Sequence, residues 1–483
     1  MKRKTALVVG LGATGLAVTN LLRAQGYKVR VTESDNGPKV KEKLIMIPAS
    51  DVDIEIGNHS RNFCLEADFA VISPGIDPHK NPVRWLYKAG KKVYSELEWA
   101  ARSIQQKIIA VTGSYGKTTT VHMLEAILQG AGISVVRAGN SHQPLSAKVL
   151  EQAEAKYWIV ELSSYQLELF TQFKPWIGMI LNISPHHLDR HKTFKRYRDA
   201  KLRLLQCFNG TNIAVLDNTL KDILPPKLSQ KLKNTVWVGG QEKEDDISAN
   251  MTGQLACLRK GQWQEELFPL ESLKLNGKHH IHNAIFAATA AYYCGVSASS
   301  IAKALSEFTG LEHRQEVFAH YGGALWVNDS KATGVPAVKS ALENFDAPIV
   351  WIAGGKGVGI DFSELFDLVG KKVKKAYFYG EDRHMLSSMF ASVCPVYQAR
   401  DMDTVAHVLS RDIQKGDVVL LSPGLQSFDQ FTNFEERGYF YKACVSRLWT
   451  GHRETFSALR CEKESVYPHH DEKDFAIHNL SRS

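Results

Sequence analysis

A glycine-rich segment joins a predicted strand to a predicted helix, and it restricts the possible folds more than any other part of the chain. The segment is Val111-Thr-Gly-Ser-Tyr-Gly-Lys-Thr-Thr-Thr120. Residues 107–111 form an apolar run typical of a buried strand. After the segment, apolar residues recur at helical spacing as far as Gly130. Because backbone N–H groups at a helix start carry partial positive charge, this arrangement predicts a phosphate-binding loop.

The residue types of this loop suit a nucleotide phosphate. Gly113 and Gly116 let the backbone close around phosphate oxygens. Lys117 would neutralise the terminal phosphates, and the Thr118 hydroxyl would ligate Mg²⁺. The spacing departs from the usual Walker A motif, which has four residues where this loop has two. The alternative is a Gly-Lys turn that begins a helix without a ligand; the flanking strand and helix favour the nucleotide site.

Length and charge narrow the class of protein. The 483 residues are enough for about three domains. The net charge of +8 comes from scattered Lys and Arg, which suits anionic small molecules but not nucleic acid, since nucleic acid requires a clustered basic face. Seven cysteines are far apart without a C-x-x-C pair, as expected for reduced thiols in a cytosol. No run reaches the roughly 18 apolar residues of a membrane span.

Residues 1–104 have the pattern of a Rossmann-like domain. A strand predicted at 5–9 leads into Gly10-Leu-Gly-Ala-Thr-Gly15, and a second strand ends near Glu33 and Asp35. This is the dinucleotide fingerprint, which is a weak signal on its own. A strand at 69–72 ends at Ser73-Pro-Gly-Ile76, at the edge where open α/β sheets bind ligands. We expect this domain to hold the diphosphate of a nucleotide, not necessarily NAD.

Residues 105–310 are predicted to form a central ATP-binding domain of the P-loop ATPase type. The strand at 157–160 ends at Glu161, and a carboxylate there is a candidate Mg²⁺ ligand. Three histidines between 186 and 191 could suggest zinc, but no Cys or Glu accompanies them at zinc spacing. Lys201 lies on a predicted helix, so it is by default a surface lysine. The stretch 225–275 is polar and irregular, with short strands such as 235–238.

Residues 311–450 are predicted to form a second Rossmann-like domain, which gives an α/β fold of three domains. Strands at 325–327, 349–353, 376–379 and 418–421 alternate with helical patterns, as in an open parallel sheet. Residues 451–483 are a polar tail that we expect to be partly disordered.

Together these motifs resemble the Mur ligases, the ATP-dependent amide ligases of peptidoglycan precursor synthesis. The resemblance covers residues 5–450 and rests on Thr112 to Thr119, Glu161-Leu-Ser-Ser, Asn182 to Arg190, Ala200-Lys-Leu, His282-Asn-Ala, His313-Arg and Asn328 to Thr333. The segment 421–438 is similar to the D-glutamate-adding branch of that family, and Ser73-Pro-Gly-Ile76 agrees with this assignment.

The resemblance implies a reaction and its cofactors. UDP-N-acetylmuramoyl-L-alanine would be joined to D-glutamate through an acyl phosphate while ATP is cleaved to ADP and phosphate. Two Mg²⁺ ions would serve the reaction, and Lys201 matches the family lysine that is carbamylated by CO₂. The resemblance further implies a cytoplasmic bacterial enzyme, which we expect to be a monomer, with no nucleic-acid partner and no membrane span.

Residue roles also follow from the resemblance. The catalytic residues would be Lys117, His187 and Lys201, and the metal ligands Thr118, Glu161, His187 and carbamylated Lys201. ATP would contact Gly113, Ser114, Gly116, Lys117, Thr118, Thr119, Asn283, Arg314, Asp329 and Lys331. The UDP-substrate would contact Thr14, Glu33, Ser34, Ser73, Pro74, Gly75 and Asn140. D-glutamate would contact Thr333, Lys356, Ser427, Phe428 and Phe434.

The chain departs from the family pattern at three places. Val358 stands where the family often has a glutamate-binding lysine, so Lys356 would have to replace it. Asn140 is followed by Ser141-His142 where Ile-Gly is more usual. The acid that serves the uracil side, Glu33 or Asp35, is not decided by the sequence.

Three other functions remain open at this level. Another Mur ligase or a folylpolyglutamate-type ligase would share most of these motifs. A non-catalytic nucleotide-binding protein could keep the fold without turnover, although intact Lys117, Glu161, His187 and Lys201 argue against that. A Rossmann oxidoreductase would bind NAD(P) at the first glycine-rich turn.

Overall fold

The structure is a computed structural model that divides into two compact units. It describes residues 3–48, 52–152, 154–170, 172–185, 187–240, 246–275, 277–345, 348–357 and 360–450. The first unit ends at Thr309, and the second begins at Gly310. The polar tail at 451–483 and Val358 lie outside the described residues.

A parallel sheet begins the first unit. Its strands are β1 (Thr5–Val9), β2 (Lys28–Glu33), β3 (Val52–Ile56), β4 (Phe69–Ile72) and β5 (Lys92–Ser95), in the order β3-β2-β1-β4-β5. The helices around it are α1 (Ala13–Ala24), α2 (Pro38–Ile45), α3 (Arg61–Leu65), α4 (Val83–Lys88) and α5 (Glu96–Ala100). The strand order reverses between β1 and β4, which creates the crevice where open α/β sheets bind ligands.

The larger sheet of the first unit carries the phosphate loop. Its strands are β6 (Lys107–Thr112), β7 (Val135–Gly139), β8 (Tyr157–Glu161), β9 (Ile177–Ile180), β10 (Ile213–Asp217), β11 (Asn234–Val238), β12 (Ile247–Thr252), β13 (Leu255–Lys260) and β14 (Trp263–Pro269). Their order is β14-β13-β12-β11-β10-β9-β6-β8-β7. The helices are α6 (Lys117–Gly130), α7 (Leu145–Leu150), α8 (Ser164–Leu167), α9 (Leu188–His191), α10 (Phe194–Leu202), α11 (Pro226–Ser229), α12 (Lys278–Tyr293) and α13 (Ala298–Glu307).

Strand β6 has a continuous apolar run from Ile108 to Val111, because both of its faces are buried there. Ile108 and Ala110 belong to one core cluster, whereas Ile109 and Val111 belong to the cluster on the opposite face of the sheet. A strand buried on both faces gives a continuous apolar run instead of an alternating one. This explains why 107–111 was recognisable as a buried strand from the sequence.

In the stretch 225–275 the strand predicted at 235–238 is confirmed as β11, but the expectation that the stretch is otherwise irregular is wrong. Strands β11 to β14 occupy most of it, and β12, β13 and β14 pair antiparallel as an extension of the parallel sheet. Antiparallel strands can leave one face in water, so they carry many polar residues. Four successive residues of β14, from Trp263 to Glu266, are exposed, which hides the strand in a polar sequence.

The second unit contains a mixed sheet. Its strands are β15 (Glu316–Tyr321), β16 (Ala324–Asn328), β17 (Ile349–Gly354), β18 (Val373–Tyr379), β19 (Val396–Gln398) and β20 (Val418–Gly424), in the order β15-β16-β20-β17-β18-β19. Only the edge pair β15–β16 is antiparallel among the described strands of this sheet. The helices are α14 (Val335–Glu343), α15 (Phe366–Lys372), α16 (Arg383–Phe390), α17 (Met402–Asp412) and α18 (Phe434–Thr450).

The α/β prediction is confirmed by these sheets of mainly parallel strands alternating with helices. The exact domain boundaries at 104 and 310 stay predictions. Among the described residues, none of the helices has the length and apolar character needed to cross a membrane.

Candidate active site

The phosphate loop lies between β6 and α6, as the sequence predicts, and Gly116 is the N-cap residue directly before the helix. Gly116 has φ +79°, in the left-handed region that favours glycine. A Cβ atom at this position would lie 2.4 Å from Oδ1 of Asn283 on α12. Asn283, which was predicted to contact ATP, is buried beside the loop and belongs to the same unit.

Asn182, which follows β9, holds the backbone of the loop. Its Oδ1 accepts hydrogen bonds from the N–H groups of Ser114 (2.9 Å) and Tyr115 (3.0 Å). Its Nδ2 donates to the carbonyl of Tyr115 at 3.3 Å. The loop therefore keeps its shape through one side chain that the sequence identified only as part of a motif.

A buried tyrosine adds a second support for the loop. The hydroxyl of Tyr197 on α10 lies 2.8 Å from Oγ of Ser114, and burial raises the pKa of that phenol. Ser114 Oγ also donates to the carbonyl of Ser184 at 3.1 Å. The Ser114 hydroxyl thus helps to hold the shape of the loop. Sequence reasoning did not identify Tyr197.

The ammonium group of Lys117 lies over the loop. Nζ donates to the carbonyls of Gly113 (2.8 Å) and Ser114 (3.1 Å). This places a positive charge beside the N–H groups at the start of α6, where phosphate binding is favoured. The next two residues, Thr118 and Thr119, lie in the first turn of the helix, with Thr118 buried.

Glu161 ends β8 next to the loop because the strands are in register. Val111 of β6 and Gly139 of β7 are both paired with Glu161. Glu161 Oε1 accepts hydrogen bonds from Asn140 Nδ2 (3.0 Å) and Ser141 Oγ (2.8 Å). Burial alone would raise the pKa of Glu161, but the charge of Lys117 and these hydrogen bonds lower it. The side chain is therefore a buried carboxylate anion.

These oxygens fit a divalent cation such as Mg²⁺. Within the described residues, Glu161 Oε2 accepts no hydrogen bond, and it lies 3.5 Å from Nε2 of His142. The Thr118 hydroxyl is connected to Glu161 through Ser141, since Thr118 Oγ1 donates to Ser141 Oγ at 3.3 Å and Ser141 Oγ donates to Glu161. Carboxylate and hydroxyl oxygens are the ligands that Mg²⁺ prefers. Asn140 donates to Glu161 here, and its predicted role in binding the UDP-substrate stays a prediction.

Lys201 is buried and is not the surface lysine that its helix would give by default. Its Nζ donates to the carbonyl of Gly113 (2.8 Å) and to Thr112 Oγ1 (3.3 Å). Burial, and then the charge of Lys117, lower the pKa of Lys201 well below its ordinary value. The structure therefore brings Lys201 to the phosphate loop with an amine that loses its proton easily.

His187 is exposed, at a φ of +54°. Its ring lies 5.1 Å from the ring of Tyr165 and 6.4 Å from that of Tyr197. Tyr197 is therefore a neighbour of both His187 and Ser114 of the phosphate loop. Its role as a ligand of a second Mg²⁺ stays a prediction.

The turns predicted for the UDP-substrate meet at the crevice between β1 and β4. Ser73 Oγ donates to the carbonyl of Gly10 at 3.2 Å, which joins the two turns. Glu33 Oε2 accepts from the N–H of Leu11 (2.6 Å), and its Oε1 accepts from the N–H of Asp35 (2.9 Å). Burial would raise the pKa of Glu33, but these N–H donors lower it. Glu33, and not Asp35, is thus the acid at the glycine turn.

The other residues predicted for this substrate lie around the same crevice. Thr14 is in the first turn of α1, Ser34 directly follows Glu33, and Pro74 and Gly75 continue the turn after β4.

The second unit contains a buried acid at the end of β16. Asp329 Oδ2 accepts from Ser422 Oγ (2.9 Å), and Oδ1 accepts from the N–H of Gln315 (3.2 Å). Burial raises the pKa of Asp329 to about 7, against the lowering effect of these bonds and of Arg314. Lys331 Nζ lies 3.6 Å from the centre of the Phe434 ring. Lys331 and Phe434, predicted for two different ligands, are therefore neighbours.

The residues predicted for D-glutamate occupy different environments. Lys356 forms an exposed ion pair with Glu381, with Nζ and Oε1 3.0 Å apart. Ser427 is buried, whereas the side chain of Phe428 is 66% exposed. Thr333 donates its N–H to the carbonyl of Lys331 at 2.9 Å. Their joint role stays a prediction.

Arg437 on α18 organises this part of the second unit, and sequence reasoning did not identify its role. The buried guanidinium donates to Ser330 Oγ (2.9 Å), to the carbonyl of Ser330 (2.7 Å) and to the carbonyl of Leu425 (3.0 Å). It connects the segment after β16 with the segment after β20. The only signal in the sequence was its position in the 421–438 motif.

Three family models match the chain in succession. They are the Mur ligase MurD-like N-terminal domain (residues 4–95), the Mur ligase middle domain (111–291) and the Mur ligase glutamate ligase domain (313–425). These matches and the observed sheets confirm the predicted α/β fold of three domains.

Relatives that share one enzyme name match over nearly the whole chain. The UDP-N-acetylmuramoylalanine–D-glutamate ligase of Geotalea uraniireducens is 34% identical over 448 residues, which is 93% of this chain and 98% of the relative. The enzyme of the same name from Alkaliphilus metalliredigens is 32% identical over 452 residues, 93% of this chain and 99% of the relative.

Solved structures of other Mur ligases share the fold. MurF ligase from Thermotoga maritima in complex with ADP has a TM-score of 0.56 and 14% identity, covering 92% of this chain and 95% of its own. UDP-N-acetylmuramate–alanine ligase MurC from Thermotoga maritima has a TM-score of 0.55 and 17% identity, covering 93% and 100%. Together with the family models and the relatives above, these likenesses establish that the chain belongs to the Mur ligase family and is a relative of its UDP-N-acetylmuramoylalanine–D-glutamate ligases.

Proposed function

We propose that this chain joins D-glutamate to UDP-N-acetylmuramoyl-L-alanine at the expense of ATP, in peptidoglycan precursor synthesis. The observation that carries the proposal is the meeting of Lys117, Glu161 and buried Lys201 at one phosphate loop. The relatives that match nearly the whole chain are named for that reaction.

The reaction has two steps, both of which place negative charge at the loop. A carboxylate is a poor electrophile, so its oxygen first attacks the γ-phosphorus of ATP, and ADP leaves. The amine of D-glutamate then attacks the carbonyl carbon of the acyl phosphate, loses a proton, and expels phosphate from a tetrahedral intermediate. Fixed donors and cations are the groups that stabilise such charge.

The residues of the loop supply these donors. The N–H groups at the start of α6 and the Lys117 ammonium bind the β- and γ-phosphates. Thr118 and Glu161 would hold Mg²⁺, which when bound neutralises phosphate charge. Glu161 keeps its charge at neutral pH because Lys117, Asn140 and Ser141 stabilise the anion.

Carbamylation of Lys201 is part of the proposal. Lys117 and Lys201 both donate to the carbonyl of Gly113 at 2.8 Å, so two amines share one oxygen. A neutral amine attacks CO₂ and loses a proton, which turns the side chain into an anion. The carbamate would relieve the repulsion between the two lysines and provide an oxygen ligand for a second metal ion, together with His187.

The remaining assignments follow the family pattern. The UDP-substrate would occupy the crevice at Ser73 and Glu33, and the D-glutamate residues would be those of the second unit named above. Arg314, Asp329 and Lys331 would contact ATP. A cytoplasmic location, a monomeric state and domain boundaries at 104, 310 and 450 complete the proposal.

A ligase assay with a panel of amino acids tests the function. Purified protein receives Mg²⁺, ATP and UDP-N-acetylmuramoyl-L-alanine, with D-glutamate, L-glutamate, L-alanine or meso-diaminopimelate. We expect phosphate release and a new amide product only with D-glutamate. Product with another amino acid would assign a different ligase, and no ATP cleavage with any of them would contradict catalysis. Binding of NAD(P) measured by fluorescence would instead support an oxidoreductase.

A further inference from the structure

Arg190 connects two parts of the first unit that the proposed function assigns to different substrates. It lies on α9, after β9 and three residues beyond His187. Its guanidinium reaches the turn after β4, more than 100 residues earlier in the chain, at Gly75 and Ile76. None of the substrate contacts predicted above involves this side chain.

The contacts of Arg190 use its planar set of donors. Nη1 donates to the carbonyl of Gly75 (3.2 Å), and Nη2 donates to the carbonyl of Ile76 (2.8 Å). Nη2 also donates to Glu168 Oε2 at 2.9 Å, and both side chains of this ion pair are 16% exposed. Such a fixed fork cannot be reproduced by lysine, which offers one compact charged group. Arg190 therefore fixes the distance and orientation of the turn after β4 relative to Glu168, in addition to pairing with the charge of Glu168.

One end of this link is the crevice proposed for the UDP-substrate. The N–H of Ile76 donates to the carbonyl of Ser73 (3.0 Å), which closes the turn. Ser73 in turn donates to the carbonyl of Gly10 (3.2 Å), across the point where the strand order reverses. Because these hydrogen bonds join the two turns, a movement of Gly75 and Ile76 would move both turns at that crevice.

The other end is the segment that follows Glu161. Glu168 lies just after α8, and its Oε1 is 3.4 Å from Nδ1 of His191. Nε2 of His191 lies 3.0 Å from Oγ of Ser164, at the start of α8. Arg190, Glu168 and His191 therefore form one polar cluster that joins α8 and α9, the elements beside Glu161 and His187; His191 is buried, and the other two side chains are half-buried.

We propose that Arg190 is a positioning residue that fixes the crevice of the UDP-substrate relative to the phosphate loop. Its effect would be to hold the acceptor carboxylate within reach of the γ-phosphate of ATP. Since a misplacement of about 1 Å can reduce a rate about a hundredfold, loss of this link should lower kcat. The inference rests on the proposed function for the identity of the reacting groups, but the link itself is independent of it.

The experiment compares Arg190→Gln and Arg190→Lys with Arg30→Gln. Arg30, on β2, is a matched control because its side chain is 14% exposed. It donates to the carbonyl of Phe63 (2.8 Å) and forms an ion pair with Glu66 (2.6 Å). We expect kcat to fall about 10- to 100-fold in Arg190→Gln, with only partial recovery in Arg190→Lys. The dissociation constant for ATP should stay within twofold of wild type, and Arg30→Gln should keep wild-type kcat.

Amide hydrogen exchange measures the link without catalysis. The peptide that contains Gly75 and Ile76 should exchange faster in Arg190→Gln than in wild type, and UDP should bind more weakly. Wild-type kcat and exchange in Arg190→Gln would overturn the inference. A loss of kcat matched by Arg30→Gln would also overturn it, because the effect would then be general destabilisation. A wild-type protein without ligase activity would refute the proposed function, and the exchange and UDP measurements would still decide on the link.

Discussion

Replacement of Gly116 by alanine should damage nucleotide binding more than it damages the fold. Two costs follow from the structure. The φ of +79° at Gly116 is strained for alanine, which costs roughly 1–2 kcal/mol. The added Cβ would lie 2.4 Å from Asn283 Oδ1, and real contacts do not fall below 3.0 Å, so the loop or Asn283 must move by at least 0.6 Å (3.0 minus 2.4).

That displacement acts on the N–H groups proposed to bind phosphate. A hydrogen bond to a charged group contributes about 1.5–3 kcal/mol, and about 1.4 kcal/mol corresponds to a tenfold change in affinity. Loss of one such bond at Gly116 or Lys117 should therefore weaken ATP binding by about ten- to a hundredfold. The melting temperature should fall by only a few degrees, since the strain is near 1–2 kcal/mol.

Gly132→Ala is the matched control for this experiment. Gly132 follows the same helix at a φ of +74°, but a Cβ there would meet no atom within 4 Å. The two variants should melt at similar temperatures, whereas calorimetry with Mg-ATP should show weakened binding in Gly116→Ala alone. In the Asn283→Ala background the contact is gone, so Gly116→Ala should then cost less affinity. Wild-type affinity in Gly116→Ala, or equal losses in both glycine variants, would refute the reasoning.

Three further predictions concern buried ionisable groups. Lys201→Ala should lower kcat by about a hundredfold or more, and short carboxylates should restore part of it in the ligase assay; absence of rescue would contradict a carbamate. Arg437→Met should lower the free energy of unfolding of the second unit by about 3 kcal/mol, because buried carbonyls of Ser330 and Leu425 lose their donor; a change below about 1 kcal/mol in denaturant unfolding would contradict this. Asp329 keeps its proton to about pH 7 in the folded chain, against an ordinary pKa of 3.8. Unfolding therefore releases a proton between these values, and the stability should fall as the pH rises from about 4 to 7. Asp329→Asn should flatten that slope in melting curves, and an unchanged slope would exclude Asp329 as its source.

The phosphate loop was predictable because its signals are local. Strand, turn and helix all lie within residues 107–130, and each has its own apolar periodicity. The same holds for the turn after β4 and for Glu161 at the end of β8. Short-range patterns of this kind determine where strands end, and the parallel topology then brings those ends to one edge.

The burial of Lys201 could not be predicted in this way. Helix α10 is mostly polar, and a lysine in such a helix normally faces solvent. Its burial depends on contacts with Thr112 and Gly113, nearly ninety residues earlier. Asn182 and Arg437 are similar cases, because their partners lie on other segments of the chain. A local sequence pattern does not indicate which distant residues a side chain will contact.

Glu161 illustrates what the local pattern leaves undetermined at the metal site. The sequence places a carboxylate at a strand end, but the structure distinguishes its two oxygens. Oε1 accepts hydrogen bonds from Asn140 and Ser141, whereas Oε2 lies 3.5 Å from Nε2 of His142. All three partners belong to the segment after β7, because β7 is paired with β8. The departure from the family pattern at Ser141 and His142 therefore lies against the carboxylate proposed to bind Mg²⁺, where one of the two residues contacts each carboxylate oxygen.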